Sequence, residues 1–99
     1  MTKKDLKYIL SSNIVLCNTR INKHVQEFEY NYDAIIDILE HFQNKLNDLS
    51  FKDFKEYIKD FNTWQYITKQ CKKYYVFTYA QEQNTITTIN KFKDLVINH

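Results

Sequence analysis

The chain contains neither glycine nor proline in its 99 residues, and this absence restricts how its elements can be connected. Glycine adopts positive φ most readily, so a chain without it favours helices joined by turns that need no special backbone geometry. Codon usage weakens that inference, because alanine and arginine are rare whereas lysine, asparagine and isoleucine are abundant. Such a bias indicates an A/T-rich genome, in which turns can rest on asparagine and aspartate instead.

The length predicts one domain, residues 1–99, which buries about 60 to 70% of the surface that its unfolded form exposes. Cys17 and Cys71 are too few for a disulfide framework, which favours a reducing compartment. No apolar run approaches the roughly 18 residues that span a bilayer, and the first residues lack the apolar core of a secretion signal. We therefore expect a soluble, cytoplasmic protein that does not associate with membranes.

Apolar spacing predicts two consecutive helices in the middle of the chain. The first runs from about Asp33 to Asp48, with Asp33 as its N-cap. Its apolar face recurs every three or four residues and comprises Ile35, Ile38, Leu39, Phe42, Leu46 and Leu49. Ser50 with Asp53 resembles a capping box and starts a second helix of about three turns. The inward residues of that second helix are Phe51, Phe54, Ile58 and Phe61.

A third helix and a hairpin are predicted after residue 61. Asn62 with Gln65 forms a capping-box-like start, and Trp64, Ile67, Cys71 and Tyr74 recur at helical spacing. Of these, Trp64, Ile67 and Cys71 are expected to face inward. From Tyr74 to Ala80 the period changes to two, with Tyr75, Phe77 and Tyr79 on one side, which is typical of a strand. Residues 81–84 then close a hairpin and residues 85–89 pair back. A short helix with Phe92, Leu95 and Val96 ends the chain.

The first 32 residues support two interpretations. Thr2 and Asp5 can cap a helix through Leu10, and residues 14–17 suit a short strand. Alternatively, Ile21, Val25, Phe28 and Tyr32 continue the helical spacing, so that one helix could run from about Ile14 to Leu49. We favour a break before Asp33, because the segment is rich in weak helix formers.

Charge is strongly separated along the chain. Residues 61–81 contain no Asp or Glu but include Lys69, Lys72 and Lys73, whereas residues 27–60 carry nine acids against four lysines. A segment with lysines and no carboxylates is the best candidate for a surface that meets a polyanion.

Two short helices joined by a tight turn, with a hairpin after them, resemble the winged helix-turn-helix family over residues 33–90. The resemblance rests on the order of the elements and implies an α+β fold of three central helices and a β-hairpin. It also implies that helix 63–73 enters the major groove and that the hairpin contacts the backbone or the minor groove. The nucleic-acid-binding residues would be those on its outer face: Gln65, Tyr66, Thr68, Lys69, Gln70, Lys72 and Lys73. Glutamine can pair with adenine, and lysine can bind guanine or phosphate.

Other patterns give weaker hypotheses. Tyr74, Tyr75, Phe77 and Tyr79 could stack single-stranded bases. The N-terminal Lys3, Lys4 and Lys7, with Arg20 and Lys23, could contact phosphates. The cysteines and histidines show no metal-ligand spacing, and no nucleophile has a recognisable partner. We expect no metal, no cofactor and no enzymatic activity.

The leading hypothesis is therefore a small, non-enzymatic accessory or regulatory protein from a plasmid, phage or other mobile element. It would bind double-stranded DNA, as a homodimer, because one module with so few basic residues binds weakly. The alternative is an all-α helical hairpin or bundle that binds a protein partner. A phage or plasmid inhibitor of a host factor, or an immunity protein, would fit that alternative.

Overall fold

A computed structural model describes residues 1–23 and 29–99, and within them the chain forms five α-helices and no strand. The predicted α+β winged-helix fold is therefore wrong, and the described residues have the all-α character of the alternative. The helices are α1 (Lys3–Asn22), α2 (Tyr32–Asp48), α3 (Phe51–Asp60), α4 (Thr63–Lys69) and α5 (Tyr79–Ile97), with a 3₁₀ turn at Cys71–Lys73.

Helix α1 begins where the sequence predicts and continues much further. Thr2 Oγ1 accepts a hydrogen bond from the Asp5 amide, and the Asp5 carboxylate accepts one from the Thr2 amide, which completes a capping box. The helix does not stop at Leu10, because the buried side chains Leu6, Leu10 and Cys17 share one helical face. The predicted strand at residues 14–17 is therefore wrong.

The predicted break before Asp33 is confirmed. Asn31 has non-helical dihedral angles, and its side-chain oxygen accepts a hydrogen bond from the Ala34 amide at 3.1 Å, so that α2 begins at Tyr32. A single helix from Ile14 to Leu49 is wrong, and the cap lies two residues before the predicted one. Val25 and Phe28, which belonged to the continuous pattern, lie outside the described residues.

Helices α1 and α2 form an antiparallel hairpin. Side-chain hydrogen bonds between described residues cross it in order, from its closed end to its open end: Arg20 Nη1 to the Tyr32 hydroxyl at 3.1 Å, Gln43 Nε2 to Ser11 Oγ at 3.1 Å, and Lys3 Nζ to the Leu49 carbonyl at 2.7 Å. Because each bond joins residues far apart in sequence, together they fix the register of the two helices.

The caps predicted for the next two helices are confirmed. Ser50 Oγ accepts from the Asp53 amide at 3.1 Å, and Asn62 Oδ1 accepts from the Gln65 amide at 3.0 Å. The third predicted helix is shorter than expected, because α4 ends at Lys69 and the backbone tightens into the 3₁₀ turn.

Helix α5 replaces the predicted hairpin and final short helix. Thr78 and Gln81 form a capping box at its start, each side-chain oxygen accepting from the other residue's amide at 3.1 Å. Its buried residues have helical spacing and are Thr85, Ile89, Phe92 and Val96. Burial of this face outweighs the strand preference of the β-branched residues from 85 to 89. The strand at 74–80, the turn at 81–84 and the strand at 85–89 are therefore wrong.

The centre of the core is Phe42 of α2, whose side chain is completely buried. Its ring contacts Phe61 edge-on at 4.8 Å, Phe54 edge-on at 6.3 Å and Phe92 in a stacked arrangement at 5.4 Å between centroids. Phe54 belongs to α3, Phe61 directly follows α3, and Phe92 belongs to α5. One side chain therefore joins α2 to α3 and α5.

His41, beside Phe42, lies at the edge of the same aromatic cluster. Its Nε2 atom is 2.5 Å from the Tyr57 hydroxyl, and its ring lies 4.9 Å from that of Tyr66. Burial lowers the pKa of His41 below its usual 6.5, and the charge of Lys45 lowers it further. The folded protein therefore favours the neutral imidazole.

Protonation of His41 should destabilise the fold. In the unfolded chain His41 has a pKa near 6.5, so it is protonated at pH values at which His41 of the folded protein is still neutral. Because the unfolded state then holds more protons, the free energy of unfolding should fall as the pH drops through that value. His41→Gln should reduce this fall, measured by urea unfolding at pH values of about 7.5 and 5.5.

His99→Gln is the matched control, because His99 is exposed at the end of the chain. It should keep the wild-type dependence on pH. If His41→Gln also kept it, the account of His41 would be contradicted.

Candidate interaction surface

Helix α4, its C-cap Gln70 and the 3₁₀ turn hold the seven residues predicted to bind nucleic acid. Six of them are exposed: Gln65, Thr68, Lys69, Gln70, Lys72 and Lys73. Tyr66 is half-buried, since its ring packs 5.4 Å from Phe61 and 4.9 Å from His41. The structure thus brings most of the predicted residues onto a short helix and the turn after it, but without the hairpin that the winged-helix interpretation requires.

A carboxylate from α5 lies next to the lysines of this segment. Lys72 Nζ is 3.1 Å from Glu82 Oε2, and the Glu82 side chain is the more buried of the two. The segment without acids in sequence is therefore not without acids in space. The ion pair partly neutralises Lys72 and reduces what that lysine can contribute to binding a phosphate.

Trp64 is 53% exposed, although the helical pattern predicted it to face inward. Thr63 is buried in its place, and its hydroxyl donates to Asn90 Oδ1 of α5 at 3.1 Å. This hydrogen bond sets the rotation of α4 about its axis, so that Thr63 and Ile67 point inward and Trp64 points outward.

The segment between the 3₁₀ turn and α5, together with the first residue of α5, exposes large apolar side chains. We call residues 74–79 the aromatic loop. Tyr74 is 80% exposed, Val76 is 92% exposed and Tyr79 is 81% exposed, whereas Tyr75 and Phe77 pack against the core. The predicted alternation of residues 74–77 is therefore present, although the segment is a connection and not a strand. Tyr79 was predicted to lie on the same side as Tyr75 and Phe77, but it is exposed, because it is the first residue of α5.

The aromatic loop is fixed to the rest of the protein through three of its residues, Tyr75, Phe77 and Thr78. The Tyr75 hydroxyl donates to Asp37 Oδ2 of α2 at 2.5 Å, and its amide donates to the Cys71 carbonyl at 2.9 Å. Phe77 packs against the hydrophobic core, and the Thr78 capping box ends the loop. The pKa of Tyr75 is raised, first by the hydrogen bond to Asp37 and then by burial. The exposed side chains are thus displayed from a fixed backbone.

A groove, which we call the α1–α5 groove, lies on a different part of the surface from the aromatic loop. Its floor is formed by α2 and its walls by α1 and α5, and its volume is about 410 Å³. Its apolar lining includes Ile9, Leu16, Ile35, Leu39, Phe92 and Leu95. The sequence analysis missed this groove, because its lining comes from three distant segments and parts of two of them were interpreted as strands.

The remaining predicted groups are distributed differently. Lys3 and Arg20 of the proposed N-terminal phosphate-contacting region make structural contacts with Leu49 and Tyr32. Cys17 and Cys71 are free and buried. Burial, together with the charge of Asp37, raises the pKa of the Cys71 thiol to about 11, so the reactive thiolate is disfavoured at neutral pH.

No group of three or more metal-ligating side chains converges within residues 1–23 and 29–99. Over the same residues, every helix is too short or too polar to span a bilayer.

Comparisons with protein-family models, with curated proteins and with solved structures found no match to this chain. Its function must therefore be argued from its own surfaces.

Tyr75→Phe should loosen the aromatic loop, because it removes the hydroxyl that donates to Asp37. We expect a loss of about 1 to 2 kcal/mol in the free energy of unfolding at neutral pH, measured by urea denaturation. Tyr74→Phe is the matched control, since it removes the same atom from the adjacent, exposed ring and should change stability by less than about 0.5 kcal/mol. Equal effects of the two substitutions would contradict the anchoring role of Tyr75.

Proposed function

We propose that this chain is a non-enzymatic, helical protein-interaction module that binds an acidic, partly apolar segment of another protein through its aromatic loop. The observation that carries the proposal is the exposure of Tyr74, Val76 and Tyr79 on a backbone fixed to the core. An inhibitor of a host factor encoded by a phage or plasmid, or an immunity protein, would act through such a surface.

The side chains of the aromatic loop suit a protein interface. Tyrosine is enriched at interfaces, because it supplies a large contact area while losing little conformational freedom. A single exposed apolar residue is common on protein surfaces and needs no explanation. Here three large side chains are exposed within six residues, and such a concentration of apolar surface is typical of an interaction site. Tyr75 and Phe77 already fix the backbone of the loop, so the loop would lose little conformational entropy when a partner binds.

Charges of both signs lie near the loop. Asp37 and Glu40 of α2 line one pocket with Tyr74, whereas the lysines at 69, 72 and 73 precede the loop in sequence, and these lysines favour an acidic partner. Lys69 and Lys73 are exposed close to it in sequence, and residues 61–81 contribute no carboxylate. Lys72 forms an ion pair with Glu82, so the carboxylate of Glu82 is partly neutralised and repels an acidic partner less. A partner with carboxylates around an apolar anchor would complement this surface in both charge and polarity.

DNA binding by residues 63–73 stays a prediction. The absence of a hairpin from the described residues removes the element order that suggested the winged-helix interpretation. The same lysines could still contact phosphate, and duplex DNA is therefore the competing ligand in the experiment below. The homodimer likewise stays a prediction.

The test is selection of peptides from a displayed random library on the immobilised protein. We expect a shared motif of acidic residues around an aromatic or aliphatic residue. The affinity of a synthetic peptide of that motif should fall about 30-fold in the double variant Tyr74→Ser, Val76→Ser, which corresponds to about 2 kcal/mol.

The double variant Tyr8→Ser, Val15→Ser is the matched control, because both side chains are exposed on α1. It should bind the peptide like the wild type. The proposal would be overturned if no motif emerged, or if the peptide bound both double variants equally. Salt-dependent binding of duplex DNA that requires Lys69, Lys72 and Lys73, without peptide binding, would instead support the nucleic-acid hypothesis.

A further inference from the structure

The outer side of α1 carries apolar side chains where a surface helix normally carries charge. Residues 8–19 include no charged residue, although the opposite side of the same helix packs in the core. Tyr8 is 74% exposed, Val15 is 63% exposed and Leu16 is 50% exposed. A helix with apolar residues on both sides is usually packed on both sides, so the outer side of α1 indicates a contact surface.

The residues on this outer side have the spacing of a helix that packs against another helix. They are separated by four, three and four residues, as in a coiled-coil seam, and we call them the α1 stripe: Tyr8, Ser12, Val15 and Thr19. The hydroxyl of Thr19 donates to the Val15 carbonyl at 2.9 Å, so this polar group is satisfied within α1. The α1 stripe therefore suits a helix as its partner.

The spacing of the α1 stripe is the same in both directions. Its midpoint lies between residues 13 and 14, with Tyr8 and Thr19 equally far from it, and Ser12 and Val15 equally far from it. A second α1, placed antiparallel about a twofold axis at this midpoint, would bring Tyr8 opposite Thr19 and Ser12 opposite Val15. Each larger side chain would then face a smaller one, which packs more evenly than a parallel pair, in which every residue faces its own counterpart.

The charges at the ends of the α1 stripe also complement each other in an antiparallel pair. Asp5 and Lys23 lie 18 residues apart, or five complete turns, so they occupy the same flank of α1. Because they lie almost equally far from the midpoint, Asp5 of each copy would stand beside Lys23 of the other. On the opposite flank Lys4 would meet the uncharged Asn22.

We propose that the α1 stripe is the contact surface of a homodimer in which two copies of α1 pack antiparallel. A second copy is favoured over a charged partner, because residues 8–19 offer no charge and the charges beyond them match those of the same helix reversed. The α1 stripe lies on a different helix from the aromatic loop, so the inference does not depend on the proposed function.

The size of the contact predicts a weak dimer. Helix α1 has 20 residues and is therefore about 30 Å long and about 10 to 12 Å across with its side chains. One such helix face is smaller than the roughly 800 Å² that each partner buries in a standard interface. We therefore expect a dissociation constant in the micromolar range.

Sedimentation equilibrium between about 5 and 500 µM protein should show a reversible monomer and dimer. Val15→Lys should weaken the dimer at least tenfold, because it places two lysines close to the twofold axis. Val76→Lys is the matched control, since it makes the same change at an exposed valine of the aromatic loop and should leave the dimer unchanged. Amide NMR spectra of each variant confirm that it remains folded.

Disulfide cross-linking tests the direction of the helices. The variants Ser12→Cys and Val15→Cys are mixed and oxidised, and the products are distinguished by mass. The antiparallel pair predicts mainly the disulfide between the two variants, whereas a parallel pair would link each variant with itself. Because Cys17 and Cys71 are buried, the unchanged protein should form little cross-linked product.

Charge reversal tests the pairing at the ends of the α1 stripe. Lys23→Glu should weaken the dimer about threefold, because it places two carboxylates beside each other at both ends. Lys52→Glu is the control, since Lys52 is an exposed residue of α3, and it should have no effect.

The inference would be overturned by a protein that stays monomeric up to about 1 mM. Equal effects of a variant and its control, or cysteine variants that link mainly with themselves, would also overturn it. Binding of the monomer to anionic lipid vesicles, with amide shifts at the α1 stripe, would assign this face to a membrane surface instead.

Discussion

The packing of Phe42 against Phe54, Phe61 and Phe92 is the interaction on which the rest of the structure depends. Helix α2 carries Phe42 and has a different role on each of its faces. Ile35 and Leu39 form the floor of the α1–α5 groove, whereas Asp37 accepts the hydrogen bond that anchors the aromatic loop. Both candidate surfaces are thus defined relative to one central helix, and a change in its packing would displace both.

Helical periodicity and caps could be predicted from the sequence because both are local. The apolar face of α2 and the caps at Thr2, Ser50 and Asn62 depend only on residues within about one turn of one another. The N-cap is Asn31 and not the predicted Asp33, which shows that two capping residues close together in sequence cannot be ranked by residue type alone.

The C-terminal third was misinterpreted because strand preference and alternation are weaker than burial. Residues 85–89 are all β-branched, yet Thr85 fits the buried face of α5 because its hydroxyl donates to the Gln81 carbonyl at 2.7 Å. That hydrogen bond satisfies a buried polar group within the helix itself. The alternation around Tyr75 and Phe77 is real, but it arises in a short connection whose inward side chains anchor it. A spacing of four, three and four residues from Thr85 to Val96 was the signal available for a helix.

The candidate surfaces were only partly predictable, because they depend on contacts between distant residues. The exposed lysines near residue 70 follow from sequence, but the position of Glu82 beside Lys72 does not. The exposure of Trp64 depends on the hydrogen bond between Thr63 and Asn90, which lie on different helices. The groove requires the packing of three helices. The residue types of a surface can therefore be identified from sequence more easily than its shape.

Amide hydrogen exchange under native conditions tests most directly whether α2 is the element on which the fold depends. If it is, the amides of α2 from Ile38 to Leu46 should be the slowest in the chain. Their exchange should require the full free energy of unfolding obtained from urea denaturation. The account would be contradicted if these amides exchanged through a less costly local opening while those of α1 or α5 stayed protected.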